Sequence, residues 1–249
     1  NWECVNMWTT YSGYNFSGEP AVHADKHFYA FQNGTSTLFE CNDGGVYKTT
    51  NGGTSWTDLT NGMAISQIYR IGASQQSVNE VICGLQDNGT KLYSGGNWED
   101  VKGGDGMECI VDYTNDNIQY GTYVRGDLAR TTNHWSSATD ITQDANGDPI
   151  NGLDEIGAWV TPFLIDPVDH LTLYIGLENI WKSTNQGDAW TKISSMNTSS
   201  KIRSMAIAPS NPSVLYVADP DQIWKTTNGG TNWTEITTGL PSTYSITYI

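Results

Sequence analysis

His23-Ala24-Asp25-Lys26-His27 is the densest group of chemically able side chains near the start of the chain. In an extended segment successive side chains alternate, so His23, Asp25 and His27 are expected on one side. Two imidazoles and a carboxylate on one face can ligate a transition metal, or can hydrogen-bond to one another as a structural cluster. Carboxylates and amides then recur in short segments: Asn42-Asp43-Gly44-Gly45, Gln86-Asp87-Asn88-Gly89, Arg125-Gly126-Asp127, Glu178-Asn179 and Asp219-Pro220-Asp221. Gly103-Gly104-Asp105-Gly106-Met107-Glu108 adds two acids, and Asp144, Asp148, Asp154 and Glu155 follow in a longer insert. Such acids can work in pairs on a glycosidic bond. They can also hold Ca²⁺ through oxygen, with Asp87 or Asp105 and nearby carbonyls as ligands. Turns favour Asp, Asn and Gly for backbone reasons alone, so plain turn chemistry competes with an acidic site at each position. The Gly103–Gly106 segment is too acidic to cradle phosphate and has no P-loop lysine.

These segments must be placed by short strands, because the chain repeats itself. Val46-Tyr47-Lys48-Thr49-Thr50-Asn51-Gly52-Gly53-Thr54-Ser55-Trp56-Thr57 returns as Ile223-Trp224-Lys225-Thr226-Thr227-Asn228-Gly229-Gly230-Thr231-Asn232-Trp233-Thr234. Ile180-Trp181-Lys182-Ser183-Thr184-Asn185-Gln186-Gly187-Asp188-Ala189-Trp190-Thr191 is a third copy, and weaker copies end at Trp98 and Trp135. A period near 40 residues with four short strands per unit is the spacing of β-propeller blades. With the strands of each unit named a to d, the last full blade has a at 202–208, b at 214–218, c at 222–226 and d from Trp233. The acid-bearing segments are then b–c and d–a connections, converging around a central channel. The c–d hairpins carry Asn51, Asn185 and Asn228 with Trp56, Trp190 and Trp233, each Trp packing back over its own turn. These are structural positions. A twisted β-sandwich with accidental turn similarity is the competing fold.

Five full blades are expected at about 22–60, 64–102, 106–141, 157–195 and 201–238. Residues 1–5 match strand d and residues 244–249 match strand a, so one further blade is split between the ends. The stretch therefore reads as a single all-β domain, or a piece of a larger propeller.

Composition narrows the partners. Against 27 Asp and Glu stand 12 Lys and Arg, a formal net charge of −15, which opposes nucleic acid. No apolar run approaches the length of a spanning helix, so no membrane insertion is expected. Cys4, Cys41, Cys83 and Cys109 form no C-x-x-C pair; Cys83 and Cys109 read as small buried hydrophobes.

The c–d hairpin resembles the Asp-box, the Ser/Thr-x-Asp-x-Gly-x-x-Trp turn of bacterial neuraminidase-type and sortilin-type repeats, with Asn51, Asn185 and Asn228 in the Asp place. With the His23–His27 segment, 42–49, 84–90 and 103–106, the chain looks like the secreted Asp-box (BNR-like) propellers of Bacteroidetes-type bacteria, which often carry a type IX secretion sorting domain. These are related to sortilin-type receptors, to photosystem II assembly-factor-like repeats and to two-propeller xyloglucan hydrolases. The resemblance implies a secreted or cell-surface location. For the hydrolases it implies Asp43 as a catalytic Asp, since Asn42-Asp43-Gly44-Gly45-Val46-Tyr47-Lys48 is similar to their Thr-Asp-x-Gly-Gly-x-Tyr-Arg segment, one residue shorter and with Lys48 for Arg. Their second acid comes from another propeller. A sialidase would need three arginines on the sialate carboxylate, and an acidic mouth would repel such a sugar.

The expected function is an extracellular binding module for a glycan or a protein partner. Its rim comprises His23, Asp25, His27, Gln86, Asp105, Glu108, Asp127, Glu178 and Asp221, with Trp8, Tyr11, Tyr14 and Phe16 available to stack on sugars or to pack on a neighbouring blade. The alternative is a glycoside hydrolase using Asp43 and Asp87. No cofactor is required, Ca²⁺ being the one considered.

Overall fold

The computed structural model describes residues 4–9, 19–196, 198, 200–240 and 245–249. Val, Ile, Tyr and Thr dominate short runs bounded by Gly, Pro, Asn and Asp, and among the described residues these runs form twenty strands in five antiparallel four-stranded sheets. The first sheet contains β1 (Lys26–Phe31), β2 (Leu38–Asn42), β3 (Gly45–Thr49) and β4 (Thr57–Asp58). The second contains β5 (Ile68–Ala73), β6 (Val81–Leu85), β7 (Gly89–Ser94) and β8 (Asn97–Lys102). The third contains β9 (Cys109–Val111), β10 (Gln119–Thr122), β11 (Leu128–Thr131) and β12 (Thr139–Asp140). The fourth contains β13 (Phe163–Ile165), β14 (Leu173–Gly176), β15 (Ile180–Ser183) and β16 (Thr191–Lys192). The fifth contains β17 (Ser204–Ile207), β18 (Leu215–Ala218), β19 (Ile223–Thr226) and β20 (Thr234–Glu235). Each sheet is a meander in chain order, so every strand pairs with its sequence neighbour. One 3₁₀ turn, Val124–Gly126, is the sole helical element among the described residues, and no helix is long and apolar enough to cross a membrane.

The chain divides into two compact units, Asn1–Gln67 and Ile68–Ile249. The first holds one sheet. In the second, the core lies between successive sheets rather than within any one. Ile82 and Leu92 of the second sheet pack with Cys109 and Val111 of the third. Tyr120 and Leu128 of the third sheet join Phe163, Leu173, Ile175 and Trp181 of the fourth. Tyr174 and Ile180 of the fourth join Met205, Leu215 and Val217 of the fifth. A sheet buried on both faces by its neighbours is the packing of propeller blades, and the chain is a partial β-propeller. The close approach is visible at Gly84, where an added Cβ would lie 2.1 Å from the Met107 carbonyl oxygen.

The repeated turn has a shared hydrogen-bond plan. Thr226 Oγ1 accepts the Gly230 N–H at 3.0 Å, and Asn228 Oδ1 accepts the Asn232 N–H at 2.9 Å. Thr49 with Asn51 and Ser183 with Asn185 do the same. Asn thus supplies the acceptor that closes the turn. The tryptophan does more than cover its own hairpin. Trp190 Nε1 donates to the Ile141 carbonyl at 2.9 Å and Trp233 Nε1 to the Ile193 carbonyl at 2.9 Å, each reaching the preceding sheet. Trp56 donates to the Val5 carbonyl at 3.3 Å.

Two weaker copies depart from expectation. Ser94-Gly95-Gly96-Asn97 is a two-residue hairpin with both glycines at positive φ, and Trp98 lies on β8 against Tyr93. Here a tight primed turn replaces the longer one. The Asn133 turn keeps the hydrogen-bond plan, but Trp135 occupies the position of Gly230, at φ 61. Its indole packs with the core between the second and third sheets and donates to Gln119 Oε1 at 2.8 Å. At the carboxyl end, residues 245–249 form no strand; Ile246 N–H reaches the Pro220 carbonyl and Ile249 N–H the Ser204 hydroxyl. Residues 1–3 and Tyr244 of the two expected end strands lie outside the described residues.

Candidate functional site in the axial cavity

Side chains from the first strands of the four sheets in the larger unit surround one cavity of about 310 Å³. Arg70 and Tyr69 come from β5, Glu108 from the residue before β9, Phe163 from β13 and Met205 from β17. Arg203 immediately precedes β17, and Tyr248 from the chain end completes the wall. First strands converge because each sheet packs its flat face on the next, leaving the inner edges around a common space. Neighbouring first strands touch, β5 with β9 and β13 with β17.

Arg70 is held in place by its neighbours. Its Nε donates to Glu108 Oε2 at 3.2 Å and its Nη1 to the Tyr69 carbonyl at 2.8 Å. The Tyr69 hydroxyl donates to Gln86 Oε1 at 2.9 Å, which ties this b–c turn to the cavity wall. The Tyr248 ring stands 6.0 Å from the Arg70 guanidinium carbon, a cation–π distance. Arg203 is exposed, and no ion pair is formed by it among the described residues. Burial pushes the Glu108 carboxyl up to about 7, with Arg70 opposing the rise. Two guanidiniums against one carboxylate leave the lining of this cavity net cationic whether or not Glu108 is ionised. Of the expected rim residues this cavity takes in Glu108, and it adds Arg70 and Arg203, which lie in or beside strands rather than in the acid-bearing turns. Their signal was a charged residue at the start of a first strand, a position whose inward direction only the sheet packing reveals.

The other expected rim residues divide into pairs and turns. Asp105 Oδ1 accepts the Asp87 N–H at 3.0 Å, and Asp87 adopts a positive φ of 56°. Asp127 sits 3.6 Å from Lys102 Nζ, with its carboxyl raised by burial. Glu178 lies 3.8 Å from Lys201 Nζ. Asp219 is fully buried and accepts the N–H groups of Asp221 and Gln222, so this acid closes its own turn. Asp144 likewise accepts the Asn146 and Asp148 N–H groups. Glu155 is a clasp: it accepts from Asn179 N–H and Nδ2, from Trp181 Nε1 and from Lys192 Nζ. Those donors hold its carboxyl down at about 2, outweighing its own burial.

In the smaller unit, His27 Nε2 contacts Asp43 Oδ1, and carboxylate oxygens of Asp25 and Asp43 lie within 4.8 Å of each other. The strict alternation expected for His23, Asp25 and His27 fails, because Asp25 adopts φ 51° and a bulge follows between Lys26 and Phe28. A left-handed residue and an extra residue each reset the period of two. His23 packs instead against Gly44, where an added Cβ would fall 2.3 Å from its ring. Trp8 is half exposed; Tyr11, Tyr14 and Phe16 lie outside the described residues.

The thiols are all free. Cys83 and Cys109 are buried, and burial raises both, in keeping with their reading as small hydrophobes.

Comparison with solved structures finds propellers. An ancestral GH74 enzyme aligns with TM-score 0.57 and 21% identity over 87% of this chain and 32% of its own. The GH74 enzyme of Niastella koreensis aligns with TM-score 0.52 and 16% identity over 84% of this chain and 38% of its own. The extracellular domain of the hybrid two-component system BT4673 from B. thetaiotaomicron aligns with TM-score 0.54 and 13% identity, over 88% of this chain and 29% of its own. The likeness is one of fold. This chain spans roughly a third of the length of each of these proteins. No protein-family model and no curated protein matches the sequence.

Proposed function

We propose that this chain is an extracellular propeller module of the secreted Asp-box type that binds a glycan in the axial cavity of its larger unit. The observation that carries the reading is the joint presence of Arg70, Glu108, Arg203 and Tyr248 around one space of about 310 Å³. That volume suits a sugar residue, the charged groups can meet hydroxyls with directed hydrogen bonds, and the exposed Tyr248 ring offers an apolar face to sugar C–H groups. The fold likeness to GH74 enzymes and to an extracellular domain is consistent with this setting. Type IX secretion would follow from the same reading, and a sorting domain elsewhere in the parent protein would support it.

Calorimetric titration of the chain with oligosaccharides from plant and bacterial polysaccharides tests the proposal. Binding that weakens at least tenfold in Arg203→Ala and in Tyr248→Ala is expected. A full panel without a binder, or binding indifferent to both substitutions, would remove the cavity as the site.

A hydrolase is the second reading, favoured by the contact of Asp43 with His27 and the nearness of Asp25. Two carboxylates about 5 Å apart suit retention and about 6.5–9.5 Å suit inversion. Under this reading wild type releases reducing ends from a neutral β-glucan such as xyloglucan, and Asp43→Asn abolishes release. Ca²⁺ at Asp87 or Asp105 is a subsidiary proposal. It predicts a higher melting temperature with added Ca²⁺ than with EGTA, because a ligand of the folded state stabilises it.

A further inference from the structure

Arg203 is out of keeping with its surroundings: on a chain of net charge −15, an exposed guanidinium without an ion-pair partner among the described residues lines a cavity that already holds Arg70. Two of Arg70's donors are committed, to Glu108 and to the Tyr69 carbonyl, which fixes its plane and leaves the rest of the fork for another acceptor. A guanidinium of fixed orientation beside a second one is suited to a planar carboxylate, which Arg binds through two parallel hydrogen bonds. Glu108 shows that a carboxylate at this position is accepted by Arg70. Glu108 supplies an acceptor for hydroxyl groups, and Tyr248 supplies a ring face.

Resting on the glycan reading above, we infer that the sugar taken by this cavity is a hexuronate: an acidic sugar residue whose C6 carboxylate sits between Arg70 and Arg203 while its ring lies beside Tyr248. Under this proposal the cavity attracts an anionic sugar, because its local balance of charge opposes that of the whole chain. A neutral sugar would leave Arg203 in the cavity without a counter-charge among the described residues.

The test compares, on the whole chain, an oligogalacturonide trimer, its methyl ester and a short peptide with a free C-terminal carboxylate. Each is titrated against wild type, Arg203→Ala, Arg203→Lys and Tyr248→Ala. The acid trimer is expected to bind at least tenfold more tightly than the ester, and to weaken as salt is raised from 50 to 300 mM. It should lose at least tenfold in Arg203→Ala, with partial recovery in Arg203→Lys. Circular dichroism of each variant confirms folding, which the exposure of Arg203 favours. Equal binding of acid and ester would overturn the hexuronate assignment while leaving the glycan reading in place. Binding of the peptide alone, or of none of the three with the wider panel also silent, would overturn both. Acid-trimer binding unchanged in Arg203→Ala would overturn the placement.

Discussion

Glu155 and Glu108 are both largely withdrawn from water, yet their carboxyl groups move in opposite directions. Glu155 meets four donor contacts, its partners being Asn179, Trp181 and Lys192, and is held at about 2. Glu108 has one guanidinium contact and rises to about 7. The difference is the number of hydrogen bonds available to repay desolvation. For Glu155 the folded value lies below the unfolded one, near 4.3, so its stabilisation is fully present above that pH and fades as pH falls toward 2. Glu155→Gln should lower stability at pH 7 by about 1–3 kcal/mol, read from urea midpoints, with the gap to wild type closing in acid. For Glu108 the folded value lies above the unfolded one. The folded state therefore holds more protons between about 4.3 and 7, and stability falls as pH rises through that window. Glu108→Gln should remove this slope and melt higher than wild type at pH 8.5; a variant that keeps the slope would assign it to another group.

At the scale of the element, the repeated turn works through its neighbours. Asn228 closes the hairpin, Gly230 allows its backbone to reach φ 92°, and Trp233 fastens it to the sheet before. An alanine Cβ at 230 would lie 2.7 Å from Ile193 Cδ1, in a conformation that L residues rarely adopt. Gly230→Ala is expected to cost about 2–3 kcal/mol, and Asn228→Ala about 1 kcal/mol through the lost acceptor. Asn228→Asp should be nearly neutral, since the carboxylate oxygen accepts the same N–H. The third sheet solves the same junction differently, with Trp135 in the glycine seat and its indole bonded to Gln119, whose amide also donates to the buried Glu80. Trp135→Ala should therefore destabilise by about 3–5 kcal/mol, while exposed Trp98→Ala should cost under about 1 kcal/mol. Similar losses at the two positions would contradict the structural distinction.

Across the larger unit, stability resides in the joints between sheets. Phe163 is 1% exposed and lies in the core shared by the third and fourth sheets, with its ring 5.5 Å from that of Tyr120. Phe163→Ala should cost about 3–5 kcal/mol. Amide-exchange protection should fall in both of these sheets, β10 and β14 included, and not in the fourth alone. Loss confined to one sheet would mean that each folds on its own.

Much of the fold was legible in the amino-acid order because it is local. A Thr or Ser, an Asn two residues on and a Gly four residues on build a turn from hydrogen bonds within six residues, and alternating apolar runs on either side make the strands. Meander topology follows from short connections. Trp98 and Trp135 depart from the repeat for different reasons: Gly95-Gly96 close a two-residue turn that sets Trp98 beside Tyr93 of its own hairpin, whereas Trp135 turns into the core shared with the second sheet, a partner that leaves no mark on its own segment. The site was less legible still. Acids in turns announce themselves by composition, although Asp219 and Asp144 use their oxygens to close their own backbone. Arg70 and Arg203 are separated by more than a hundred residues, and neither carries a motif. Only the stacking of sheet upon sheet, which buries apolar faces and turns first strands inward, brings these two cations to one cavity and gives it a charge opposite to that of the chain.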